Sequence, residues 1–195
     1  MMFCITIVTA TMAVLSGIGI INAATFIPRS YPGFTVLNST ATPDGLFIVY
    51  GDSTTTSTAV VDTNTSTISA RYVCGDNMPI VCDFRTNLAM QGLCDRLAAE
   101  LDSNGDIHLP NSPRSVCLAD GMFLCCTSWA NKVNSLTKAM LVPGMTAAQS
   151  LCGLNWVSAR TKNVKLANTC TTQCVSSRPI HCENGVGPFD DPDKE

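Results

Sequence analysis

Acid–base chemistry near neutral pH needs a side chain that can give or take a proton there, and this chain offers few. Its two histidines, His108 and His181, are the only side chains that titrate in that range unperturbed. His108 stands in Asp102–Pro113, a stretch rich in turn formers, and His181 adjoins Cys182. Neither comes with a serine elbow or the setting of a nucleophilic cysteine. Glu100 could complete an acid–base pair with His108, as in a secreted ribonuclease, but residue type alone connects them. Both histidines therefore read as solvated loop residues, and no catalytic residue is assigned. The segment Asp102-Ser103-Asn104-Gly105-Asp106 has the start of a calcium loop. An EF-hand needs Gly at its sixth place and Glu at its twelfth, where this chain has Ile107 and Pro113. The cluster Arg160, Lys162 and Lys165 reads as a strand edge blunted by charge.

Cysteine is the other reactive residue type, and it is abundant. Of eleven cysteines, Cys4 lies near the N-terminus. The other ten are Cys74, Cys82, Cys94, Cys117, Cys125, Cys126, Cys152, Cys170, Cys174 and Cys182. They fall within 109 residues, the density of a disulfide scaffold. Zinc is the competing reading. Cys170-x3-Cys174 has a loose ligand spacing but no partner Cys-x2-Cys or His pair, so neither metal nor cofactor is expected. The neighbours Cys125 and Cys126 cannot easily bridge each other, because a disulfide demands specific Cβ geometry. In a strand they point to opposite faces, so they should tie that strand to two different elements.

The compartment follows from the N-terminus. No charged side chain precedes Arg29, and Phe3–Ile21 is largely apolar. The run ends in Asn22-Ala23-Ala24, a small-residue site of the kind signal peptidase cuts. Residues 1–23 are thus expected to be a signal peptide, and their loss leaves an even number of cysteines. The cleaved product should be extracellular, with no stable membrane insertion. A formal charge of −3 with 14% charged residues argues against a nucleic-acid binder or a polybasic membrane-surface protein.

These residues need elements to position them. Residues 24–70 read as an extended N-terminal arm with a Ser/Thr-rich linker. Leu46–Tyr50 has the pattern of a short strand, and eleven of the eighteen residues in Asp52–Ser69 are Ser or Thr. The arm carries the glycosylation sequons of Asn38 and Asn64. Residues 71–182 read as a cysteine-rich α+β domain. Its expected elements are a strand over 67–74, a helix over 85–101, strands over 115–118 and 122–129 joined at Asp120-Gly121, a helix over 143–152 and a strand over 164–175. The first helix should pack through Met90, Cys94, Leu97 and Leu101, and the second through Leu151 and Cys152. The order β-α-β-β-α-β is that of a ferredoxin-like split βαβ sandwich, with both helices on one face of a four-stranded sheet. Residues 183–195 are an acidic tail, expected to be disordered.

Three stretches carry a resemblance. They are Ser112-Pro113-Arg114-Ser115-Val116-Cys117, Cys125-Cys126-Thr127-Ser128-Trp129-Ala130, and Cys170-Thr171-Thr172-Gln173-Cys174-Val175-Ser176-Ser177-Arg178-Pro179. Together they resemble a family of secreted, cysteine-rich fungal proteins labelled "WD-like". The likeness covers roughly residues 70–182 and, more weakly, the strand at 44–51. It implies an extracellular place and no particular activity. It does not imply a WD40 propeller, whose repeats of 40–45 residues are missing from this chain. A looser likeness, in architecture and cysteine number, is to the small α/β killer toxins of smut fungi. The expected protein is a secreted, non-catalytic monomer acting by binding, as an effector or a cell-wall or host-interaction protein. Its partner would be an extracellular protein or glycan. The alternatives are a secreted hydrolase with a cryptic site and a killer-toxin-like protein acting on membranes or channels.

Overall fold

The computed structural model describes residues 31–53, 74–111, 113–180 and 182. The expected signal peptide, most of the Ser/Thr-rich linker, the strand expected over 67–74 (Cys74 excepted), Asn64, His181 and the acidic tail lie outside the described residues. The remainder is mixed α and β with antiparallel pairing.

Nine strands and two α-helices are described. The strands are β1 (Phe34–Thr42), β2 (Gly45–Asp52), β3 (Ile80–Cys82), β4 (Ala89–Met90), β5 (Pro113–Asp120), β6 (Phe123–Trp129), β7 (Trp156–Val157), β8 (Ala159–Leu166) and β9 (Thr169–Ser176). The helices are α1 (Gln91–Ser103) and α2 (Val142–Cys152), and a 3₁₀ turn at Lys138–Leu141 leads into α2. Seven strands form one sheet in the order β1-β2-β5-β6-β9-β8-β3, while β4 and β7 make a separate two-stranded ribbon. The four-stranded split βαβ order is replaced by this larger sheet, in which β6 pairs directly with β9.

Three local departures from the expected elements have physical causes. The first helix starts at Gln91 instead of residue 85. Asp83 Oδ1 accepts hydrogen bonds from the backbone N–H groups of Arg85 and Thr86 at 2.8 and 3.1 Å, and Asn87 has φ 54°. This side-chain turn competes with helix over that stretch. The strand expected over 164–175 is a hairpin of β8 and β9, turning at Ala167 with φ 50°. Its turn residues Ala167-Asn168 lack the glycine that marked Asp120-Gly121, where the β5–β6 hairpin forms as read. Finally, β1 precedes the expected strand, and both strands of that hairpin belong to the main sheet. Their turn places Gly45 against the Ala119 carbonyl, where a Cβ would collide.

Strand alternation divides the sheet into two faces. On one, Val49, Val116, Thr127, Val175 and Ala159 form a row across five strands. Leu93, Leu97 and Leu101 of α1 and Met145 and Ala148 of α2 join the same core. Both helices therefore cover one face. Leu97 and Leu101 are fully buried and Met90 partly so. Of the two contacts expected for α2, Cys152 is buried while Leu151 is 65% exposed, and Met145 and Ala148 supply the rest of the packing. The opposite face holds a second cluster of Ile48, Tyr50, Cys117, Ala119, Leu124 and Cys126. There burial, with Tyr31 beside it, pushes the Tyr50 phenol up to about 12.

Five disulfides join these layers: Cys74–Cys170, Cys82–Cys152, Cys94–Cys125, Cys117–Cys126 and Cys174–Cys182. The adjacent cysteines of β6 diverge. Cys125 ties the sheet to α1, and Cys126 ties β6 to its register partner Cys117 on β5. Cys82–Cys152 fastens β3 to the end of α2. In the chain-entropy account the bridges spanning 31, 70 and 96 residues are worth roughly 4 kcal/mol each, against about 2.5 for the two short ones. The long bridges thus do most to restrain the unfolded chain.

Leu97 tests this packing, because it lies three residues after the bridged Cys94 on α1 with no exposed surface. Leu97→Asp puts an unpaired carboxylate into the core, and the expected outcome is intracellular retention. Secretion at the normal level, with the mass of the fully bridged protein, would show that α1 does not face the sheet through Leu97.

Candidate functional site

The strand β1 is an edge strand, and its face shared with the helices extends beyond their cover. Asn38 pairs in register with Val49, Thr40 with Phe47 and Thr42 with Gly45. These three side chains therefore share the helix-side face of the sheet, yet they are polar, Asn38 and Thr40 exposed and Thr42 half-buried. They line a cleft of about 250 Å³ together with Glu100, His108 and Lys138.

Glu100 comes from the last turns of α1. His108 comes from the loop after that helix, which is anchored by the Leu109 N–H donating to the Leu136 carbonyl at 2.9 Å and by a β-bridge from His108 to Thr137. The Lys138 N–H donates to the Ile107 carbonyl at 3.1 Å, which fixes the start of the 3₁₀ turn. Lys138 Nζ then donates to Glu100 Oε1 at 2.8 Å and lies 4.2 Å from the centre of the Phe47 ring. The side chains of this pair are only 9% and 16% exposed. Little solvent screens them, and the ring face adds to the hold on the ammonium. His108 is exposed at the cleft's margin.

The structure thus brings His108 and Glu100 into one cleft, while Lys138 engages the carboxylate. Sequence reading missed Lys138 altogether, since its partner lies 38 residues away. The segment Asp102–Asp106 is the end of α1 and the turn after it, with the Gly105 N–H donating to the Asp102 carbonyl at 3.1 Å. Arg160 departs from the expected solvated edge. It is 4% exposed and faces away from the helices, because β3 pairs outside β8 and removes the edge. Lys162 and Lys165 are exposed. Among the described residues no helix is long and apolar enough to cross a membrane.

A family model described as "Fungal WD-like" matches residues 34–182. The chain belongs to the Fungal WD-like family. The match takes in β1 and β2 as well as the cysteine-rich segment, in keeping with their place in one sheet. No curated protein and no solved structure matches the chain.

The Glu100–Lys138 pair makes a stability prediction of its own. Lys138→Met leaves a mostly enclosed carboxylate without its cation and is expected to cost roughly 2–4 kcal/mol, at the lower end because Glu100 keeps some solvent. Lys138→Met combined with Glu100→Leu should recover most of that loss. Urea unfolding with the disulfides intact checks both. Equal destabilisation by Lys138→Met and the double variant would mean that the unpaired Glu100 carboxylate is not the source of the loss.

Proposed function

We propose that this member of the family is a secreted protein that acts outside the cell by non-covalent binding, and that the cleft between β1 and α1 holds its ligand. One observation carries this reading. The carboxylate of Glu100 is committed to Lys138 at 2.8 Å, which leaves the cleft without a free general base beside His108. The same pairing cancels the cleft's charge. What remain are the polar groups of Asn38, Thr40, Asn104 and His108 and of Thr42, whose hydroxyl donates to the Gly45 carbonyl at 2.9 Å, beside the apolar Phe47, Val49, Ile107, Leu109 and Pro110. That lining suits a neutral, hydroxyl-rich ligand better than an ion, and an extracellular glycan has this chemistry. The ten cysteines fit an oxidising compartment, and bridges of this number keep such a cleft pre-formed, which lowers the ordering cost of binding.

A hydrolase is the second reading, because His108 and Glu100 do share the cleft. In that case Glu100 would have to leave Lys138 during turnover. One experiment separates the two. The protein is made in a host that adds no N-glycan, since a glycan on Asn38 would stand in the cleft, and is titrated with a soluble neutral β-glucan. Saturable binding is expected, without release of reducing ends. Thr40→Val with His108→Ala should weaken it about tenfold or more, since each lost hydrogen bond is worth about 1 kcal/mol. Reducing ends released by the wild type but not by His108→Ala would establish the hydrolase. Absence of binding would remove the glycan reading.

A further inference from the structure

A second cavity, of about 210 Å³, lies at the other end of the β1–β2 hairpin, lined by Phe34, Asp52, Arg114 and Ser128 among others. The Arg114 guanidinium there is already engaged. Its Nη1 donates to Asp52 Oδ1 at 2.9 Å and its Nη2 to the Ala130 carbonyl at 2.7 Å. The cleft between β1 and α1 differs in one respect. Among the described residues, only its lining contains a glycosylation sequon, for Asn38 and Thr40 of Asn38-Ser39-Thr40 both border it.

The register of β1 decides where a sugar on Asn38 would go. The pairing shifts between Val36 and Asn38, and Asn38 then pairs with Val49. Val49 belongs to the helix-side core, so the Asn38 side chain leaves the sheet on that face. Ser39 pairs with Ile48 of the opposite cluster and points the other way. β1 is the outermost strand, and Asn38 is exposed on it. Its amide is thus open to solvent and aimed along the cleft.

The cleft has the chemistry of a sugar seat. A pyranose ring has apolar C–H faces and a polar rim. Phe47, Val49 and Leu109 line the cleft from the core, and Ile107 is an apolar wall residue left 51% exposed. Asn104 and His108 stand beside them to meet the rim. The Glu100–Lys138 pairing leaves no free charge to favour an ion. A volume of about 250 Å³ holds one sugar residue, so a longer glycan runs out into solvent. Covalent attachment makes the contact intramolecular, and weak contacts then suffice to fill the seat.

We propose that the chain's own N-glycan, attached at Asn38, occupies this cleft, with its first N-acetylglucosamine seated against Phe47, Leu109 and Ile107. In the attachment step Asn38 Nδ2 displaces the diphosphate of a polyprenyl-diphosphate oligosaccharide. The C1–N bond forms, the C1–O bond breaks, the lipid diphosphate leaves, and an amide proton passes to water. The seat deepens the secreted, ligand-binding reading and rests on it, since that transfer occurs in the secretory pathway. A ligand in solution reaches the cleft only where Asn38 is bare.

Protein secreted from a glycosylating host provides the test. Peptide mapping should find Asn38 occupied. An N-glycan amidase must reach the bond between Asn38 and the sugar, so it acts on the unseated fraction. Asn38→Gln with Ser39→Asn and Ala41→Thr moves the sequon by one residue, to the opposite face. Native release from Asn38 should be about tenfold slower than from the moved site, as for a seat left open about a tenth of the time. After reduction and denaturation the two rates should agree. Ile107→Ser lowers the wall without touching the sequon and should speed native release severalfold, which serves if the moved sequon is not used. Secreted protein with Asn38 bare, equal native release from the two sites, or no effect of Ile107→Ser would overturn the seat and leave the secreted reading standing. Protein confined to the cytosol would remove both.

Discussion

The alternation of side chains along β6 is the constraint on which the rest depends. Successive residues of a strand must face opposite ways, so Cys125 and Cys126 cannot serve one layer. Cys125 reaches up to Cys94 on α1, and Cys126 reaches sideways on the far face to Cys117 of β5. One dipeptide thereby fixes the helix layer and the register of the central hairpin. A slip of one residue would send each thiol to the wrong face. Cys82–Cys152 repeats the helix-to-sheet link at the far edge of the sheet. The two helices are thus pinned to the central strand and to one edge of the sheet.

Both cavities follow from this frame. The sheet is wider than two helices can cover, so the outermost strand β1 leaves Asn38, Thr40 and Thr42 uncovered beside the end of α1. The bridge at Cys94 fixes the helix that carries Glu100, and Glu100 in turn fixes Lys138 at the entrance to α2. The second cavity lies where β1, β2, β5 and β6 present Phe34, Asp52, Arg114 and Ser128, and where the chain beyond β9 is tied back through Cys182. Neither cavity has a wall that depends on one element alone. The charges that line them are paired within the protein, Glu100 with Lys138 and Asp52 with Arg114. Hydrogen bonding and shape, more than charge, are left to select a ligand.

Much of this was legible in the sequence where the signal was local. Asp120-Gly121 marked the central hairpin, the period of Leu97 and Leu101 marked the buried face of α1, and the adjacency of Cys125 and Cys126 required divergent bridges. Non-local facts were not legible. Nothing near Thr40 or Phe34 announced that β1 would extend the sheet, because an edge strand with polar residues on both faces has no alternating apolar pattern. The β8–β9 turn uses Ala167 at positive φ, a conformation that residue type does not advertise. The cleft needed three distant segments to meet, and Lys138 carried no sign of its partner. Leu151 looked apolar enough to be inward, but α2 turns Met145 and Ala148 to the core instead.

The divergence of Cys125 and Cys126 can be measured directly. The purified protein is cleaved without reduction between Cys82 and Cys94, between Cys94 and Cys117, between Cys117 and Cys125 and between Cys126 and Cys152, so that the other bridges do not hold these pieces together, and the fragments are weighed and then broken between the two adjacent residues. The account predicts one species of three joined fragments, in which Cys125 carries the Cys94 fragment and Cys126 carries the Cys117 fragment. A fragment holding Cys125 and Cys126 free of both others, or the opposite assignment of partners, would contradict it.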